Sequence, residues 1–285
     1  MTYRCFDVEI ADAIAHVRLK RGDELNTMVP EFWTELPAIV KDIDDNAKAR
    51  VIVISSTGKH FSGGMDLAVF TGGSSAGTSA ARASHERGRV RANLRLSVLD
   101  IQDSFNVLER ARMPVLVAIQ GGCVGGAVDM ASACDCRYAT EDAFFVIQEI
   151  NIGMTADVGT FPRLCNLMPT GMVRELAYAG RRLPAQKALQ LGLVNAVFPT
   201  QEAMLEHVMG LAKDIAAKSP LAVYGSKVMI NYARDHTVAD GLDYIATWQA
   251  GMYHPEADMM EAFKAKAEKR PGTFEELLPV RKRGG

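Results

Sequence analysis

The chain has 285 residues, 48% of them hydrophobic, so it is long enough to bury a sizeable core around one α/β domain with a short appendage. Its 32 Lys and Arg against 34 Asp and Glu leave a formal net charge of −2, which excludes a global basic field for nucleic acid or an anionic membrane. No apolar run reaches the roughly 18 residues needed to span a bilayer.

Residues 4–10 and 13–20 read as two strands joined by a tight turn at Ala11-Asp12. Residues 29–43 then carry Phe32, Leu36, Ile39, Val40 and Ile43 at helical spacing. Thr27 is the expected N-cap of that helix, Pro30 falls in its first turn, and Pro37 is expected to kink it. Val51-Ile-Val-Ile54 is a continuous β-branched run of the kind found in buried parallel strands. The small, polar stretch 71–89 predicts a mobile loop, followed by a long helix over about 90–111. Val115-Leu-Val-Ala-Ile119 is a second buried strand; it runs into Gly121-Gly122, with a helix starting near Gly125. Shorter strands are expected at 135–140, 144–148 and 194–198. Thr200 is placed to cap a helix with Met204, Val208, Leu211, Ala212 and Ile215 on one face. Helices near 219–235, 237–251 and 255–269 complete the chain. Strands alternating with helices imply βαβ units and a largely parallel sheet. The expected organisation is a core over 1–199 and a helical region over 200–285 that packs on a neighbouring subunit.

The five cysteines, Cys5, Cys123, Cys134, Cys136 and Cys165, include no CxxC pair, and Cys134 and Cys136 are too close for a typical zinc knuckle and have no histidine nearby, so all five read as reduced, mostly buried thiols in a reducing compartment. The N-terminal stretch has no apolar signal core and the C-terminal VRKRGG is not a peroxisomal address, so the cytoplasm is the expected location. Neither a GxSxG elbow, a phosphate loop, an HExxH pair nor a GxGxxG turn occurs, and the six histidines never pair at ligand spacing. Metal catalysis and serine hydrolysis are therefore not expected.

Two glycine-rich segments each follow a buried strand: His60-Phe-Ser-Gly-Gly-Met-Asp-Leu67 and Gly121-Gly-Cys-Val-Gly-Gly-Ala-Val-Asp129. Glycine permits tight turns and lets a ligand approach backbone amides. A strand, then glycines, then a helix start aims free N–H groups outward with the helix dipole behind them. Two such turns side by side suit an oxyanion hole; they also suit plain strand–helix connections. Three carboxylates follow, Asp129, Glu149 and Asp157, each set among Val, Ile, Met or Phe. A desolvated carboxylate has a raised pKa, in the working range of a general acid or base. Taken singly, Asp129 also fits a salt bridge, Glu149 a solvated loop and Asp157 an N-cap for a helix starting at Val158.

The run Phe105-Asn-Val-Leu-Glu-Arg110, Met113 to Asp129, and Ala133-Cys-Asp-Cys-Arg-Tyr138 resembles the signature of the crotonase (enoyl-CoA hydratase/isomerase) superfamily. Leu25-Asn26, the His60–Leu67 segment and Arg181 to Asn195 extend the resemblance in the expected order over roughly residues 5–275. The resemblance implies an α/β fold, a crotonase-like spiral of ββα units with a helical C-terminal trimerisation region, often paired into hexamers. It implies an oxyanion hole from the amides of Met65 and Gly126, acyl-CoA thioester as substrate, and no cofactor beyond the coenzyme A that the substrate carries. Aspartate at 129, glutamate at 149 and aspartate at 157 resemble the Δ3,5-Δ2,4-dienoyl-CoA isomerase subgroup, as do Asp142-Ala-Phe-Phe145 and Asp157-Val-Gly-Thr160. On that resemblance Asp157 is the base at carbon 2, Glu149 the acid at carbon 6, and Asp129 a buried partner. Alternatives are an enoyl-CoA hydratase using Asp129 and Glu149, a Δ3-Δ2 enoyl-CoA isomerase, and a non-catalytic acyl-CoA-binding protein. Lys20, Arg21 and Lys269 are candidates for CoA phosphate contacts. Two departures stand out: Lys266 occupies a place that is often aromatic, and Ala127 replaces a common third glycine.

Overall fold

The computed structural model of the protein describes residues 2–66, 68–71, 86–251 and 256–280. The expected loop at 71–89 falls largely on 72–85, outside the described residues. Strands β1 (Phe6–Ala11) and β2 (Ile14–Leu19) form an antiparallel hairpin. Its two-residue turn is Asp12-Ala13, both left-handed at φ 51° and 60°, one position later than the sequence suggests. Turns with two positive φ values match the right-handed twist of the flanking strands.

From β2 onward the sheet is parallel. Strands β3 (Val51–Ser56), β4 (Val115–Ile119), β6 (Cys136–Thr140) and β9 (Ala196–Phe198) join it in the order β1-β2-β3-β4-β6-β9. A second sheet holds β5 (Gly122–Val124), β7 (Phe144–Val146) and β8 (Leu183–Pro184). The two buried apolar runs explain themselves once both faces are seen. Ile52, Ile54, Val115, Val117 and Ile119 face the larger core, while Val51, Val53, Leu116 and Ala118 face Met204, Val208 and Ala212 of a helix behind the sheet.

Helix α1 (Phe32–Asp45) lays Phe32, Leu36, Ile39, Val40 and Ile43 into the larger core, as predicted. Its start corrects the sequence reading. Thr27 is not its N-cap and Pro30 precedes it, because residues 25–28 belong to a loop: Leu25 and Asn26 are left-handed and Met28 pairs with the glycine segment. The Thr27 hydroxyl instead donates to Asp66 Oδ2 at 3.1 Å. Pro37 sits inside α1, where it cannot donate to the Trp33 carbonyl. Ser104 Oγ on a neighbouring helix donates to that carbonyl at 3.1 Å.

A single turn α2 (Ala68–Thr71) precedes the long helix α3 (Arg87–Arg110). Helix α4 (Gly126–Ala133) is buried along its whole length. Residues 160–191 form three helices, α5 (Thr160–Leu167), α6 (Thr170–Ala179) and α7 (Ala185–Leu191); α5 starts two residues later than a cap at Asp157 would set it, with Gly159 at its N-cap, and the other two were not expected from the sequence. Helix α8 (Gln201–Ala216) begins at Thr200, whose hydroxyl accepts from Ala203 N at 3.2 Å as a cap should. It is the helix that closes the second face of the sheet. Helices α9 (Pro220–Asp235), α10 (Val238–Gly251) and α11 (Glu256–Glu268) follow. The tail then returns to the core: Arg50 Nε meets Glu276 at 2.9 Å and Val280 N donates to Asp45 O at 2.7 Å.

Candidate active site

Two loops, at the C-terminal ends of β3 and β4, carry the glycine segments. Asn26 ties the first together: its buried amide donates to Thr57 O (2.8 Å) and His60 O (3.1 Å). Its backbone carbonyl accepts from Ser62 Oγ at 2.8 Å, and the same hydroxyl accepts from Gly64 N at 3.1 Å. The second loop is pinned to the first by Gly122 N donating to His60 Nδ1 at 2.9 Å. A Cβ on Gly64, whose φ is 82°, would fall 2.4 Å from Val124 O and 3.4 Å from Gly126 N. Only glycine admits that approach.

The contact brings the Met65 and Gly126 segments together. Among the described residues, no protein acceptor meets the N–H of Met65, and Gly126 opens α4, where an N–H has no intrahelical acceptor. Two free amides with a helix dipole behind one of them can hold a developing oxyanion.

The three carboxylates sort by environment. Asp129, in the first turn of α4, is 1% exposed. Its Oδ1 accepts from Thr160 N (2.6 Å) and Thr160 Oγ1 (2.7 Å), so it caps α5 from another helix. Burial pushes its pKa up to about 6, while the Thr160 bonds and the Arg163 charge hold it back. Glu149 lies just after β7 on a 3-10 turn, Glu149–Ile152, with Oε1 against the Cα of Gly125. Its Oε2 is buried with no partner among the described residues. Burial raises its pKa to about 7, with Asp129 and Asp157 adding to the rise. Asp157 is exposed, and its backbone carbonyl accepts from Gln102 Nε2 at 2.6 Å.

A cavity of about 180 Å³ gathers these groups: Met65, Gly126, Asp129, Glu149 and Asp157 all line it. Trp33 closes another side, with its ring 3.7 Å from a Cβ position on Gly126. The cavity therefore holds two amide donors, a glutamic acid that titrates near neutrality and an aspartate at a separate point. That set can remove one proton and deliver another while stabilising charge on an oxygen between them.

The proposed phosphate contacts lie outside the cavity lining. Lys20 Nζ donates to Asp7 Oδ1 at 3.1 Å. Arg21 is buried, pairs with Glu24 and donates to Thr27 O, bracing the first loop. Lys269 is exposed just past α11, with φ 53°. Thr160, Arg163 and Trp33 were not legible as site residues. Trp33 shares the helical stripe of Leu36 and Val40 and packs against the core, so its spacing reads as structural.

The cavity, on a mixed α/β scaffold, has groups that suit acid–base chemistry beside an oxyanion. Residues 9–277 match the enoyl-CoA hydratase/isomerase family. The chain is 40% identical over 258 residues to the mitochondrial Delta(3,5)-Delta(2,4)-dienoyl-CoA isomerase of Mus musculus, covering 90% of this chain and 77% of that one. It is 37% identical over 265 residues to the peroxisomal Delta(3,5)-Delta(2,4)-dienoyl-CoA isomerase of Arabidopsis thaliana, covering 93% and 94%. An enoyl-CoA hydratase structure from Bacillus anthracis superposes with a TM-score of 0.80 at 28% identity, covering 98% of this chain and 100% of that one. The chain belongs to the enoyl-CoA hydratase/isomerase (crotonase) family and is an enzyme of that family, with the family's fold and a helical C-terminal region.

Proposed function

We propose that the protein isomerises 3,5-dienoyl-CoA to 2,4-dienoyl-CoA. The observation that carries this reading is the meeting of Glu149 and Asp157 on one cavity with the Met65 and Gly126 amides. Asp157 takes a proton from carbon 2, and the electrons of that C–H bond flow into a conjugated enolate whose oxygen rests on the two amides. Glu149 gives its proton to carbon 6, the 2,4-diene forms and the thioester carbonyl returns. Carbons 2 and 6 are four bonds apart, beyond the roughly 3 Å reach of one fixed carboxylate oxygen. Two separate carboxylates therefore suit the reaction better than one, and the raised pKa of Glu149 suits the acid. Both steps are proton transfers and use no metal or redox group; coenzyme A belongs to the substrate.

Enoyl-CoA hydration is the second reading. It asks Asp129 and Glu149 to hold a water together. Asp129 Oδ1 already accepts two bonds from Thr160, which leaves it poorly placed for that task. A Δ3-Δ2 isomerase needs a single working carboxylate and gives Asp157 no role.

Association into trimers or hexamers belongs to the same proposal. Helices α9 to α11 leave Ile230, Leu242, Met260 and Phe263 each more than 60% exposed in the single chain. Lys20 and Lys269 are proposed to meet the CoA phosphates, with Arg21 kept to its loop.

The test is a spectrophotometric assay of 3,5-dienoyl-CoA and 2-enoyl-CoA, for wild type and Asp157→Asn. The proposal expects the 2,4-diene absorbance to appear with wild type and, with the variant, to be lost from multiple turnover, leaving only slow single turnovers. Hydration of 2-enoyl-CoA that survives Asp157→Asn, without diene isomerisation, would mean a hydratase.

A further inference from the structure

The loop that carries Asp157 is not self-supporting. It lies between two cavities, since Asp157 and Val158 also line a second, more polar one of about 370 Å³. What holds the loop is Arg163, in the first turn of α5 and 8% exposed. Its guanidinium lies on Gly159: a Cβ there would fall 1.8 Å from Nη1, and Gly159 has φ 132°. Arg163 Nη1 donates to Val158 O at 3.3 Å, and Nη2 donates to Asn106 Oδ1 (2.7 Å) and Glu109 Oε2 (3.0 Å) on α3. Gln102, on the same helix, holds the Asp157 carbonyl at 2.6 Å.

The chain of contacts continues outward. The other oxygen of Glu109 accepts from Arg234 Nη1 at 2.6 Å, and the Glu109 carbonyl accepts from Asn231 Nδ2 at 3.1 Å. Both partners sit on α9. An arginine fork fixes orientation as well as distance, which a lysine cannot copy. Asp157 is thus set by a rigid series running from α9 through Glu109 and Arg163 to the backbone on its C-terminal side.

We infer that Arg163, held by Glu109 and Arg234, is a positioning residue for Asp157 and links the C-terminal helices to the proton-transfer step. The inference rests on the isomerase reading, in which Asp157 removes the proton from carbon 2. Arg163 touches no substrate in this scheme. Its effect travels through the placement of one carboxylate, and misplacement by about 1 Å is enough to cost on the order of a hundredfold in rate.

The experiment is a double-mutant cycle on diene isomerisation, with Arg163→Lys made in wild type and in Asp157→Asn. Enzyme is in excess over 3,5-dienoyl-CoA so that slow single turnovers can be read. Arg163→Lys is expected to slow the wild-type turnover by about tenfold or more. It is expected to change the Asp157→Asn rate, and the affinity for 2,4-dienoyl-CoA, by less than roughly twofold. Arg234→Met, which lines no part of the substrate cavity, takes its place if Arg163→Lys fails to fold. Equal loss in both backgrounds would overturn the inference in favour of a general structural role, and so would an unaffected wild-type rate. A wild type that does not isomerise 3,5-dienoyl-CoA at all would remove the reading beneath it, and that result is distinct from either.

Discussion

Glu149 joins chemistry and stability in one side chain. Its carboxyl is lifted from 4.5 to about 7 by burial, so the folded state holds this proton more tightly than the unfolded chain does. Linkage then fixes the sign: the folded state loses stability as pH rises from about 4.5 through about 7. Asp129, lifted to about 6, acts in the same direction. Glu149→Gln is therefore expected to stabilise the protein at pH 8 by about 1–3 kcal/mol and to leave it unchanged below pH 4.5. Thermal melts across that range read the difference. The same variant loses diene isomerisation by on the order of 10²- to 10⁴-fold, the usual size of a general-acid contribution. In wild type, kcat/KM should fall as pH rises past about 7, because the acid must carry its proton. Asp129 is read differently: as the cap of α5, its loss in Asp129→Ala costs about 1–2 kcal/mol in denaturant unfolding. Asp129→Asn keeps an oxygen for Thr160 and costs less.

At the level of elements, the site depends on how closely two loops approach. Gly64 and Val124 meet backbone to backbone, so Gly64→Ala forces them apart and moves Met65 N away from Gly126 N. Loss of one oxyanion donor is expected to lower kcat by about 10²- to 10³-fold, equivalent to ~3–4 kcal/mol. Activity that survives Gly64→Ala in a folded protein would count against the two-amide site. These loops were partly legible in the sequence: glycines after a β-branched run mark strand–helix turns, and only the resemblance of the longer motifs singled them out as an oxyanion hole. Asn26 shows where legibility stops. Its place in the motif was visible, but its bonds to Thr57 and His60 join residues 31 and 34 positions away. Thr27 shows a failure of local reasoning: a good cap residue before a helical stripe lost out to a loop needed by the site. The helices of residues 160–191 are short, and their stability comes from contacts such as Asp129 on Thr160, which no periodicity carries.

For the molecule as a whole, the parallel sheet was readable because strands buried on both faces are apolar throughout. The boundary at 200 was readable as a change from strands to helices, but α8 belongs structurally to the sheet it covers. From α9 onward large apolar side chains such as Ile230, Leu242, Met260 and Phe263 stand open to solvent. Under the proposed association, light scattering should report three or six chains, and Phe263→Glu should yield smaller species at equal concentration. A wild type that stays monomeric would contradict this.

The central claim is that two carboxylates divide the proton transfers, Asp157 at carbon 2 and Glu149 at carbon 6. The most direct test follows carbon 2 of 3,5-dienoyl-CoA by proton NMR in D₂O, with Glu149→Gln and Asp157→Asn. The account predicts that Glu149→Gln still exchanges the carbon 2 protons for deuterium while forming no 2,4-diene, and that Asp157→Asn does neither. Exchange that persists in Asp157→Asn and vanishes in Glu149→Gln would contradict the assignment.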